Sequence, residues 1–189
     1  MIHQIELNVI RFIQTFLFTD EYNILDKIAK LISSRKYRRL YLILYFLIFI
    51  ISKEYSKILI VINLYILSFL SRKLNIFIKL IFKRKRPFNF NNILTDKKTN
   101  LKKVDTYSMP SNSIQTSLIF YNILLSNTAF VNYQLKIYIL VIIIIILSLA
   151  KILRGLHFPS DILVSLIISY ICTVSYEVFL KNFDYKFNC

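Results

Sequence analysis

The chain has 189 residues, 56% of them hydrophobic, with one Gly and no Trp, and a mean hydropathy of +0.55. A soluble domain of that size cannot hide so much Ile, Leu, Phe and Tyr from water, which excludes an ordinary soluble enzyme and makes a bilayer the expected solvent. Its 25 Lys and Arg against 10 Asp and Glu give a net charge of +15; beside so apolar a body, that charge suits an anionic membrane surface or phosphorylated substrates better than nucleic acid.

From the N-terminus, Ile2–Phe18 is interrupted by His3, Glu6 and Arg11 and is followed by no small-residue cleavage site, so it does not read as a cleavable signal. It is either a sixth span or an amphipathic interfacial helix. Ile24, Leu25, Ile28, Leu31 and Ile32 then recur at helical spacing and could lay 24–33 flat on the membrane. Five apolar stretches follow: Tyr37–Ser52, Ser56–Leu70, Thr116–Val131, Leu135–Ala150 and Asp161–Leu180. Most are near the lower limit of about 17 to 25 residues for a spanning helix, and flanking Lys, Arg and Tyr can extend them to the interface. The third and fourth are apolar on all sides, as lipid-embedded helices are. Cys172 lies inside an apolar run and reads as a packed free thiol, and Cys189 is not in a prenylation box. The expected fold is an all-α polytopic membrane helix bundle of about six transmembrane helices. The single domain, 1–189, divides into an N-terminal helix or interfacial segment (1–34), two spans (37–82), a polar active-site loop (83–112) and three spans (113–182).

Three motifs carry chemistry. In Lys79-Leu-Ile-Phe-Lys-Arg-Lys-Arg86-Pro87 the first and last cations are close to two helical turns apart. They should project from nearly the same face at the end of a helix, where Pro87 disfavours its continuation. Two such cations can clamp a phosphate, with Arg offering a bidentate fork. In Met109-Pro110-Ser111-Asn112-Ser113 the Ser and Asn are favoured N-caps before a helix over 114–131, whose first N–H groups can face an anion. The third motif runs from Ala150-Lys151 through Arg154-Gly155-Leu-His157-Phe-Pro159 to Asp161. It holds the only glycine, a proline suited to a first helical turn, and an acid four residues after a histidine. A carboxylate that orients an imidazole is what a nucleophilic or general-base histidine needs. In an up-and-down bundle the third motif lies two spans beyond the loop flanked by the other two, so all three return to one membrane face.

In order and spacing these motifs resemble the type 2 phosphatidic acid phosphatase superfamily, whose pattern is Lys-x6-Arg-Pro, Pro-Ser-Gly-His, then Ser-Arg-x5-His-x3-Asp. Lys79, Arg86 and Pro87 match the first element, Pro110 and Ser111 half of the second, and Gly155, His157 and Asp161 the third. The resemblance spans roughly 56–180. It implies His157 as the nucleophile that becomes a phosphohistidine, with Asp161 holding its other ring nitrogen. Lys79, Arg86, Ser111, Asn112 and Lys151 would form the phosphate cradle, and no metal or cofactor is called for.

Three departures stand out: Ser113 replaces the general-acid histidine, Asn112 a glycine, and Ala150-Lys151 the Ser-Arg pair. Lys151 keeps the charge and loses the fork. A missing general acid typically costs about 100- to 10,000-fold. The expected activity is therefore a lipid phosphate or polyprenyl diphosphate phosphatase with weakened general-acid function. The alternatives are a pseudophosphatase that binds lipid phosphate or scaffolds a membrane partner, and a small transporter or assembly subunit with accidental matches. Expected partners are membrane lipid and the phosphorylated substrate, not nucleic acid; nothing in the sequence names a protein partner. The basic residues of 19–39, 83–112 and Lys151–Arg154 would make the motif face cytosolic, whereas the resemblance implies a lumenal or periplasmic site, the orientation followed here.

Overall fold

The computed structural model describes residues 2–17, 22–51, 55–90, 93, 107–126 and 132–187. Half of the expected polar loop (91–92 and 94–106), residues 127–131 of the third apolar stretch, and Cys189 lie outside them. Among the described residues seven α-helices form: α1 Ile2–Leu17, α2 Tyr22–Ser33, α3 Arg35–Ile51, α4 Tyr55–Phe82, α5 Asn112–Ser126, α6 Tyr133–Leu153 and α7 Pro159–Phe187. No strand occurs among them, only an isolated antiparallel bridge between Lys85 and Tyr107.

Three helical segments, Val61–Phe82, Tyr133–Leu153 and Pro159–Leu180, are long and apolar enough to cross a membrane. The other expected spans are shorter: α3 has 17 residues, α5 has 15 and α1 has 16. Large apolar side chains, among them Phe69, Phe77, Ile142, Ile145, Leu163 and Ile167, are exposed along α4, α6 and α7. A surface of that kind suits lipid rather than water.

The second span, expected within 37–82, runs as helix to Phe82, beyond the apolar stretch that stops at Leu70. Its polar residues Ser71, Asn75 and Lys79 recur every four positions and are buried, so they form the inward face of this helix. One expectation needs correction: the third stretch, read as lipid-embedded, is the centre of the protein. Helix α5 packs against α2, α4, α6 and α7, and Ile114 to Phe120 are all buried.

Polar contacts fix α5 to its neighbours. Gln115 Nε2 donates to Ser71 O and Oγ at 3.1 and 2.8 Å, and Asn75 Nδ2 donates to Gln115 Oε1 at 2.7 Å. Interhelical hydrogen bonds of this sort tie helices together where no hydrophobic drive separates helix from lipid. Helix α1 buries Glu6, Leu7, Ile10 and Gln14 on one face, and Gln14 Nε2 donates to Leu153 O at the end of α6 at 2.9 Å.

Candidate active site

The turn between α6 and α7 is built by the chain's only glycine. Gly155 has a φ of 60°, the left-handed region that a Cβ disfavours. Its N–H bonds Ile152 O at 2.8 Å, and Leu156 N–H bonds Lys151 O at 3.0 Å. That pair is a Schellman ending, which satisfies the last carbonyls of α6 and turns the chain sharply. Gly155 O accepts from Phe88 N–H at 3.0 Å, which joins this turn to the segment after α4. Pro159 then occupies the first position of α7, where its missing N–H costs nothing. Asp161 Oδ2 accepts the Phe158 N–H at 2.8 Å, capping α7 from its first turn.

The first motif reaches this turn by a different route from the one its spacing implies. Helix α4 ends at Phe82, and Lys83 reverses the chain with a φ of 46°. Arg86 is extended, with φ −77° and ψ 153°, just before the 3-10 turn Pro87–Asn89. Lys79 and Arg86 therefore do not share a helix face: one is the last inward residue of α4, the other lies on the loop. The helix has already ended at Phe82, and Pro87 favours the extended backbone of Arg86. Both side chains are buried all the same, at 6% and 3% exposure. Arg86 Nη1 donates to Leu156 O at 2.9 Å and stands 3.3 Å from His157 Nε2.

His157 lies between that cation and an acid. Its Nδ1 is 3.7 Å from Asp161 Oδ2 and has no hydrogen-bond partner of its own. A guanidinium can only donate, so Nε2 is the accepting nitrogen and the neutral ring carries its proton on Nδ1, toward Asp161. Burial pushes the His157 pKa down from 6.5 to about 4; Arg86 and Lys151 act in the same direction, and Asp161 opposes them. The imidazole is thus neutral, with its lone pair facing positive charge.

Ser111 caps α5. Its carbonyl accepts from Gln115 N–H at 3.0 Å, and its own N–H donates to Ser165 Oγ of α7 at 2.7 Å. The Ser111 hydroxyl is fully buried without a hydrogen-bond partner, and so is Asn112 Oδ1. Ser113 and Lys151 are half-buried; Lys151 is close enough to Arg86 and His157 for their charges to interact.

The structure thus brings His157, Asp161 and Arg86 into one cluster, with Lys151 in electrostatic range. Ser111 is joined to the same helix, α7, through Ser165. Sequence reasoning missed two members. Arg84 Nη1 donates to Asp161 Oδ1 at 2.8 Å, and Glu6 pairs with Arg84 from α1. Their only signals were a cation inside the basic run Lys83–Arg86 and a carboxylate interrupting an apolar helix. A neutral, acid-steered imidazole whose free nitrogen faces a guanidinium can attack an electrophilic oxyanion centre.

A family model described as the PAP2 superfamily matches residues 57–184. No curated protein and no solved structure matches the chain.

Proposed function

Because this chain belongs to the PAP2 superfamily, we propose that it is a lipid phosphate or polyprenyl diphosphate phosphatase that works through a phosphohistidine at His157. The observation that carries this reading is the placement of His157, with Asp161 at 3.7 Å from Nδ1 and Arg86 at 3.3 Å from Nε2.

In the proposed cycle a phosphoryl group enters beside Nε2 and takes over the Arg86 contact. The Nε2 lone pair forms a bond to phosphorus as the bond to the leaving oxygen breaks. Arg86, Lys79 and Lys151 offset the charge on the equatorial oxygens, while the buried Ser111 hydroxyl and the N–H groups of the first turn of α5 supply further donors. Asp161 stabilises the positive charge that the ring gains. Water then attacks the phosphohistidine, the nitrogen–phosphorus bond breaks, and inorganic phosphate departs with His157 restored.

Ser113 shapes the substrate class. A hydroxyl is no acid near neutral pH, so an alkoxide leaving from a phosphate monoester receives no proton from this position. A phosphate leaving from a diphosphate is a far weaker base and needs less help. The favoured substrate is accordingly a prenyl-type diphosphate. Phosphate release from farnesyl diphosphate and from short-chain phosphatidate, by purified protein in detergent micelles, tests this: faster turnover of phosphatidate removes the preference.

A second reading is supported by the same departures at Ser113 and Lys151: a pseudophosphatase that binds lipid phosphate or scaffolds a membrane partner without turnover. It predicts saturable binding of farnesyl diphosphate with no phosphate release and no labelled protein.

A further inference from the structure

Asp161 is fully buried and both of its oxygens are engaged. Oδ2 takes the Phe158 N–H and faces His157, while Oδ1 takes Arg84 Nη1 at 2.8 Å. A carboxylate held at both ends cannot rotate its oxygen away from the imidazole. What holds Arg84 in turn is largely Glu6. Arg84 Nη2 pairs with Glu6 Oε2, its Nη1 also meets Ser160 Oγ, and its Cζ lies 4.0 Å from the centre of the Phe158 ring. The other oxygen of Glu6 accepts the Ser160 N–H at 3.0 Å, one of the orphan donors at the start of α7. Glu6 is 8% exposed and shares the buried face of α1 with Leu7, Ile10 and Gln14. Its buried charge is offset by the guanidinium that also faces Asp161.

Helix α1 is itself fixed to the other side of the same turn. Gln14 bonds Leu153 O, and from α2 Asp26 pairs with Arg154 at 3.5 Å. The N-terminal helices therefore hold the loop of His157 before it, at Leu153 and Arg154, and after it, at Ser160. None of Glu6, Gln14 and Asp26 lies in the segment that the family model matches, which begins at 57.

We propose that Glu6 and Arg84 are positioning residues for the His157–Asp161 pair: Glu6 fixes Arg84, and Arg84 fixes the carboxylate that steers the nucleophile. This role presupposes the reading of His157 as nucleophile, so its test carries a readout that needs no turnover. In a His3→Gln background His157 is the only histidine, and the full chain in micelles can be examined by NMR of isotope-labelled histidine at neutral pH. The expected signal is a slowly exchanging Nδ1 proton, shielded from water by burial. Glu6→Gln is the gentle variant, since its amide oxygen can still accept the Ser160 N–H while the carboxylate charge facing Arg84 is lost; Arg84→Gln is the stronger one. Both should lose the protected proton, and both should lower kcat on farnesyl diphosphate about 100-fold, as a misplacement of about 1 Å does, with KM within about twofold. The role is overturned if the starting chain shows no protected Nδ1 proton, or if either variant keeps it. A chain that shows the proton and loses it in both variants, yet releases no phosphate, sustains the positioning role and contradicts the proposed phosphatase activity.

Discussion

Arg86 Nη1 stands 3.3 Å from His157 Nε2, so the nitrogen proposed to attack phosphorus already faces a permanent cation. The contact orders the ring, since an arginine only donates. It also gives the incoming phosphate a bidentate partner at the place where the new bond must form.

That double role makes Arg86→Lys far from conservative. Lysine keeps the charge and cannot hold Leu156 O and a phosphate oxygen in one plane. The expected loss in kcat/KM on farnesyl diphosphate is about 100-fold, the scale of removing one fixed donor to a developing oxyanion. A loss under about threefold would show that charge alone suffices.

Restoring the second motif should broaden the substrate range. Asn112→Gly with Ser113→His places an acid where Ser113 stands. Phosphatidate hydrolysis should rise about 100-fold, the lower part of the range for general acids. Farnesyl diphosphate hydrolysis should change less than about tenfold, because its leaving phosphate needs little protonation. Equal gains on both substrates would contradict the account of the missing acid.

Burial of His157 has a signed effect on stability. Its pKa falls from 6.5 to about 4, so below pH 6.5 the unfolded chain binds a proton that the folded chain refuses. This contribution is complete above 6.5 and is lost progressively as the pH falls to about 4. Thermal unfolding in micelles should show wild type losing stability relative to His157→Gln across that window, with a constant difference above it. A constant difference throughout would mean that His157 titrates alike in both states.

The site was legible in the sequence where it depended on topology. The first and third motifs, separated by α5 and α6, were expected to meet, and Arg86 contacts Leu156 while Phe88 contacts Gly155. Gly155 was legible too, because a lone glycine beside a helix end has a backbone reason to be there. Hydropathy could not show that Ser71, Asn75 and Lys79 face protein, since it does not separate polar residues turned to neighbours from those turned to water. Seven-residue spacing suggested one helix face for Lys79 and Arg86, while the helix ends at Phe82 and Arg86 is extended before Pro87. The pairing of Glu6 with Arg84 joins residues 78 positions apart, and no local pattern encodes it.

The polar layer between α4 and α5 gives a separate check on the fold. Gln115→Leu leaves Asn75 and Ser71 without the partner that joins them. A cost of about 1–2 kcal/mol is expected for such interhelical bonds. Adding Asn75→Leu should cost less than the sum of the single changes, because both remove one shared bond. Additive losses would show that Gln115 and Asn75 do not interact.

The most direct measurement is capture of the covalent intermediate. Purified chain is mixed with farnesyl diphosphate carrying a radiolabelled terminal phosphate, quenched in alkaline detergent, and the label mapped. The account predicts acid-labile, base-stable label on His157, absent in His157→Gln and reduced in Arg86→Lys. Phosphate release with no labelled protein, or label on any other residue, would contradict it.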